Sequence, residues 1–208
     1  MSAPAIGEEI GRIVRLQVQV RSLKVPGPKH RAYDPGGIVA VPRLLLEEVG
    51  ATGVTEDGTR VQDIHHREHP KTRNRFGNEI CFGFTSHYSA MRARMPLLVD
   101  GMAGENLLIE SDRMWDLDAL FDGLVIVTGP GPVVLEDVEV AKPCPEFARY
   151  ALQFPETARP DQRVIDAVRF LDGGVRGFYA TCVSDLAEVN AGDRVHLAKV
   201  EPRDVWPW

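Results

Sequence analysis

The chain has 208 residues, 44% hydrophobic and 26% charged, a globular balance that excludes wholesale disorder and suits one domain with a sizeable core. Its 24 Lys and Arg face 30 Asp and Glu. The net charge of −6 argues against a nucleic-acid partner, because neutralising duplex phosphates needs a basic face. Three scattered cysteines form neither a disulfide framework nor a paired-cysteine zinc site. No apolar run reaches the roughly 18 residues of a membrane span. The start, MSAPAIGEEIGR, lacks the basic-then-apolar pattern of a secretory signal. The expected setting is therefore the reducing cytoplasm, with no membrane partner.

Taken in chain order, the cleanest signal is at 12–21, where Val14, Leu16, Val18 and Val20 alternate with Arg15, Gln17, Gln19 and Arg21. That is the period of a half-buried strand. Pro26 to Gly37, with three prolines and three glycines, reads as a loop. Residues 38–49 stay open between strand and short helix, since Pro42 weakens a strand while LLLEEV fits either. Glu79–Phe84 reads as a strand, Ser86–Met95 as a short helix capped by Ser86, and Glu105–Glu110 as another strand. Gly123–Thr128 and Val133–Val140 are apolar strands joined by Gly129-Pro130-Gly131-Pro132, a hairpin connection. Pro145–Leu152 reads as helix. Asp161–Leu171 is a stronger one, capped by Asp161, with Val164, Ile165, Val168 and Leu171 on one face. Gly177–Val183 and Arg194–Val200 are the last strands. The fold class is strand-dominated α+β with a few short helices.

Two regions carry chemistry. Cys144 lies in Lys142-Pro143-Cys144-Pro145, and proline at a first helical position would make Cys144 the N-cap. Its sulfur would then face unpaired backbone N–H groups, which favour the thiolate that attacks sulfur or ligates metal. The alternative is a small apolar residue filling a strand-to-helix corner. Cys81 and Cys182, inside apolar strands, read as buried. The second region, 63–78, carries four basic residues (Arg67, Lys71, Arg73, Arg75) and three histidines against Asp63 and Glu68. It is either a phosphate grip, with His65 or His66 adding hydrogen bonds, or a solvated loop. The spacing of His65 and His69 invites a zinc reading, but no glutamate takes the HExxH position, Pro70 follows at once, and no helical pattern surrounds it. His87 and His196 read as structural. Asn106 either shapes a turn or faces a pocket. Arg176 either reaches an anion or is a surface charge. Trp206 and Trp208 cover an apolar patch or form a dimer contact.

The order Ala103-Gly104-Glu105-Asn106-Leu107, Lys142-Pro143-Cys144, Arg176-Gly177-Phe178-Tyr179, Ala191-Gly192-Asp193-Arg194-Val195 resembles the MOSC domain, named for the C-terminal part of molybdenum cofactor sulfurase. The match runs over about 11–198 of a single domain at 1–208, with a tail at 199–208. The resemblance implies a β-barrel-like α+β fold and one functional cysteine, at Cys144. In the family that residue is proposed to carry sulfur as a persulfide; in amidoxime- and hydroxylaminopurine-reducing members it ligates molybdenum on a pterin dithiolene. Many members carry a histidine and a Gly-Gly stretch before the central strand. This chain instead has Asp63-Ile64-His65-His66 and a basic loop ending at Gly77-Asn78. It also lacks the pyridoxal-phosphate domain of the full sulfurase and the N-terminal barrel domain of the amidoxime reducers. Pyridoxal phosphate enters only through the family's description, and no lysine here has a Schiff-base context.

The resulting expectation is an enzyme binding molybdenum cofactor (molybdopterin) through Cys144. His65, His66, Arg67, Lys71, Arg73, Arg75, Asn106, Lys142 and Arg176 would hold the cofactor. It would reduce an N-hydroxylated small molecule with electrons from a separate reductase. One alternative is a sulfur carrier that takes a persulfide on Cys144 from a cysteine desulfurase. Another is a non-catalytic binding module.

Overall fold

The alternation at 12–21 belongs to a longer strand, β1 (Ala5–Gln19), in a computed structural model that describes residues 5–72, 77–155 and 157–199. Past a two-stranded hairpin, β2 (Lys24–Val25) and β3 (Ala32–Tyr33), come β4 (Ile38–Ala40), β5 (Arg43–Glu47), β6 (Gly50–Val54) and β7 (Arg60–Gln62). The stretch left open at 38–49 is thus two strands, and Pro42 lies between them rather than inside either. β8 (Ile80–Phe84) leads through α1 (Thr85–Arg92) to β9 (Leu107–Glu110). After α2 (Leu117–Leu120) come the hairpin strands β10 (Leu124–Val127) and β11 (Pro132–Val140), then α3 (Pro145–Ala151) and α4 (Gln162–Leu171). The described chain finishes with β12 (Phe178–Cys182), β13 (Ala187–Asn190) and β14 (Arg194–Lys199). Trp206 and Trp208 lie outside the described residues.

β1 holds the architecture together by pairing with different partners along its length. Ala5–Arg12 pairs with β14, Arg12–Leu16 with β9, and Gln17–Gln19 with β4. The ring β14-β10-β11-β12-β8-β9-β1 closes back on β14, a seven-stranded barrel. Its pairs are antiparallel except β8 with β9, and that parallel pair requires the long crossover in which α1 sits. Inside it pack Ile13, Phe82, Phe84, Leu107, Leu135 and Phe178, all at most 1% exposed. A second sheet, β13-β5-β6-β7, lies against the end of β1. α1, α3 and α4 share a separate apolar cluster around Tyr88, Met91, Phe147 and Leu171.

Several local expectations are refined. Ser86 does not cap α1: Phe84 is the N-cap, without a side-chain bond, and Ser86 donates to the Arg113 carbonyl instead. Asp161 does cap α4, accepting from the Arg163 N–H at 2.9 Å. The buried face of α4 is Val164, Ala167 and Leu171, whereas Ile165 is 44% exposed. Gly177 needs its glycine: φ is +131°, and a Cβ would stand 2.7 Å from the Phe82 carbonyl oxygen.

His87 is structural, as expected. Its Nδ1–H donates to the Gly174 carbonyl, and Nε2 accepts from the Trp115 N–H. Burial favours the neutral ring and lowers its pKa to about 4. The unfolded chain binds this proton near pH 6.5, so the ring's contribution is complete above that pH and is lost as pH falls toward about 4. Urea midpoints at pH 7 and pH 5 are expected to fall more steeply in wild type than in His87→Gln. Equal slopes would show that His87 does not report acid sensitivity.

Candidate functional site: a cationic cavity around Cys144

Cys144 takes its expected backbone position. It is the extended N-cap of α3 (φ −121°, ψ 149°), with Pro145 at the first helical position. Its sulfur, however, makes no cap hydrogen bond. Half-buried and unbridged, it lines a cavity of about 750 Å³. The volume lies within the size range of small-molecule and cofactor sites.

The cavity forms where four parts of the chain converge. The segment after β1 and the β2–β3 hairpin bring Arg21, Lys24, Arg31 and Tyr33. The basic loop brings His65 and Lys71, the barrel strands bring Cys81 and Tyr179, and the approaches to α3 and β12 bring Lys142 and Arg176. Arg21, Lys24, Arg31, Lys71, Lys142 and Arg176 are thus gathered in a chain of net charge −6, and no described lining residue is Asp or Glu. Arg21 is bonded to Asp34 at 2.6 Å outside the lining, and Arg31 is 3.9 Å from Glu146.

Arg176 is the most constrained of these cations. One guanidinium Nη2–H donates to the Ala103 carbonyl at 2.9 Å, and the group lies 5.7 Å from the centre of the Phe147 ring. Its Nε is buried with no hydrogen-bond partner. An unmet donor on a buried cation costs stability unless a ligand meets it. Burial opposes its charge, but Tyr179, Cys81, Tyr33 and Cys144 beside it outweigh burial and raise its pKa. Burial raises the Tyr179 phenol as well. Cys81 and Cys182 are buried, as expected, with thiols pushed up to about 12 and about 11 by desolvation. Cys81 also reaches the cavity, which its apolar strand context did not indicate.

The basic loop divides. His65 and Lys71 face the cavity, with Nδ1 of His65 held 2.8 Å from Asp63 Oδ1. His66 and Arg67 are not among its lining residues. His66 is 1% exposed beside Glu47, and Arg67 reaches Glu48 and the buried Glu79, whose carboxylate requires a cation. Arg73 and Arg75 lie outside the described residues. Asn106 is also absent from the lining: Oδ1 accepts from the Cys81 N–H, and Nδ2 donates to the Gln17 carbonyl and Asp63 Oδ2. It is a tie between β1, β8 and the start of the basic loop. Arg21, Lys24, Arg31 and Tyr33 were invisible in the sequence because they sit in or beside a segment that reads only as a loop. Among the described residues, no three His, Cys, Asp or Glu side chains gather to hold a metal ion by themselves. No described helix is long and apolar enough to cross a membrane.

Solved structures share this architecture. YuaD from Bacillus subtilis, 15% identical, aligns over 92% of this chain and 97% of its own with a TM-score of 0.55. YiiM from Geobacillus stearothermophilus, 14% identical, aligns over 90% of this chain and 75% of its own with a TM-score of 0.52. At these identities the likeness shows the fold, and this chain has the strand-dominated, MOSC-type barrel expected from its motifs. No protein-family model and no curated protein sequence matches the chain.

Cations without a carboxylate among the described lining residues favour an anion, so inorganic pyrophosphate is expected to bind with an affinity that falls as salt rises. Arg176→Met should weaken it by roughly tenfold or more, the worth of a hydrogen bond to a charged group. Arg67→Ala, outside the cavity, should leave it unchanged. Isothermal titration of the three proteins, with thermal unfolding to confirm their fold, decides the matter. Equal binding by Arg176→Met would remove the cavity as an anion site.

Proposed function

We propose that this protein binds molybdenum cofactor in the cationic cavity, with Cys144 as a sulfur ligand, and reduces an N-hydroxylated small molecule. The observation that carries the reading is the buried Nε of Arg176, without a hydrogen-bond partner, in a cation cluster that also holds the Cys144 thiol and has no Asp or Glu among its described lining residues. These residues fit the group. Arg176, Lys71 and Lys142 supply charge for a pterin phosphate, and a soft thiolate suits a metal whose other ligands come from a dithiolene. When bound, the cofactor supplies two-electron removal of oxygen from an N–OH group.

The chain's own residues bind, shield and deliver protons. Reducing R–NHOH to R–NH2 consumes two electrons and two protons and releases water. The electrons come from a separate reductase. The acid–base group at the cavity is His65: Asp63, fully buried, holds its Nδ1–H, so proton exchange falls to Nε2. Tyr33, Cys81 and Tyr179 wall the cavity, and their burial limits water around the bound group.

Molybdenum per protein, measured by elemental analysis on material from molybdate-fed cells, tests the reading. Wild type is expected near stoichiometric, and Cys144→Ser depleted of metal and without N-hydroxy reductase activity. Retention of both by Cys144→Ser would overturn the proposal. Absence of metal from both proteins would favour the sulfur-carrier reading. That reading predicts a sulfur-sized, reductant-reversible mass gain on Cys144 after incubation with a cysteine desulfurase.

A further inference from the structure

A second cavity, of about 400 Å³, lies beside the first and shares Arg31 and Tyr33 with it. Its chemistry is different. Tyr150, Phe154, Leu97 and Leu98 give it an aromatic and aliphatic lining, with Glu146 as its carboxylate among the described residues. Tyr33 is the fixed part of the partition. It is 8% exposed, its hydroxyl donates to the Met102 carbonyl at 2.7 Å, and its ring packs 5.1 Å from Phe147 and 5.3 Å from Tyr150.

Arg31 is the loose part. Its side chain is 53% exposed, and its contact with Glu146 is long, Nε to Oε1 3.9 Å, while the Glu146 side chain is only 18% exposed. The other charged residue lining this chamber is Arg149, three residues on from Glu146 in α3. Its guanidinium Nη2 is committed to the Pro155 and Ala158 carbonyls, 2.8 and 3.2 Å away. With Arg31 turned away, Glu146 and Arg149 balance in charge. The chamber then suits a neutral planar ring that donates a hydrogen bond, rather than an ion.

We propose that this smaller chamber is a second ligand site, taking a neutral aromatic or heteroaromatic ring whose N–H or O–H donates to Glu146, with Arg31 as the gate between the chambers. An anion in the larger cavity attracts Arg31 and withdraws it from Glu146, which exposes the acceptor. By linkage, the anion strengthens binding of the ring, and the ring strengthens binding of the anion by the same factor. The size follows from the contact given up: an exposed ion pair is worth about 0.2–1 kcal/mol, or roughly 1.4- to fivefold in affinity. Calling the ring the body of the reductase substrate rests on the function proposed above. The ligand chemistry of the chamber does not, because Cys144 is not among its lining residues.

Indole is a suitable probe, and 1-methylindole, which lacks the N–H, is its control. Titration followed by protein NMR is expected to show indole binding more tightly than 1-methylindole in wild type, with the preference abolished in Glu146→Ala. Adding inorganic phosphate should tighten indole binding within the range given, and Arg31→Ala should bind indole tightly with no response to phosphate. Equal affinity for the two probes, or an unchanged preference in Glu146→Ala, overturns the site. A wild type indifferent to phosphate overturns the gate. Cys144→Ser, titrated in parallel, should bind indole as wild type does. Molybdenum retained by Cys144→Ser, or absent from wild type, with indole binding intact would therefore sink the functional reading alone, and molybdenum held by wild type and lost from Cys144→Ser, with no preference for indole, would sink the second site alone.

Discussion

A single buried carboxylate organises the site. Asp63 is fully buried, and both of its oxygens are engaged: Oδ2 accepts from the Gln19 N–H and Asn106 Nδ2, and Oδ1 accepts from the His65 N–H and ring Nδ1–H. A buried charge is tolerable only when its lone pairs are met this completely. Satisfying it ties the end of β1, the turn before β9 and the start of the basic loop to one point. Asn106 extends the tie to β8 through the Cys81 amide. The cavity wall that carries Cys81 and His65 is therefore held by side-chain bonds to backbone, which leaves less freedom than apolar packing alone.

The protein separates its charges by position. The sequence carries an acidic surplus, whereas cations from distant segments meet in one concavity. Field lines from such a cluster are focused by low-dielectric walls and draw anions inward over a range set by the salt concentration. A net charge of −6 over the whole chain is compatible with a local cation cluster in one cavity.

What the sequence reveals here depends on the range of the interaction involved. The alternation in β1, the Gly-Pro hairpin between β10 and β11, the Asp161 cap and the Pro145-defined cap position of Cys144 are all decided by residues within a few positions, and all are legible. β13 is not, because four residues with two half-buried ends show no periodicity, and the strand exists through pairing with β5, about 145 residues away. The basic loop illustrates the other failure. A local surplus of charge does not say which side chains must serve buried partners, and Glu79 takes Arg67 while Glu47 takes His66. Arg31 and Lys24 reach the cavity only because a two-residue ladder folds their loop back over α3. Chain fragments that never pair locally were legible as types, not as neighbours.

The closure of the barrel has a consequence for how the chain is made. β1 is made long before β14, the last described strand, yet half of β1 pairs with it. Until residues 194–199 emerge, the facing edges of β1 and β10 stay open, and each is a template for pairing with another nascent chain. Contacts this far apart in sequence also make closure a slow, late event. The β1 edge therefore waits through nearly the whole described chain, and the β10 edge through about its last third, before β14 pairs with both.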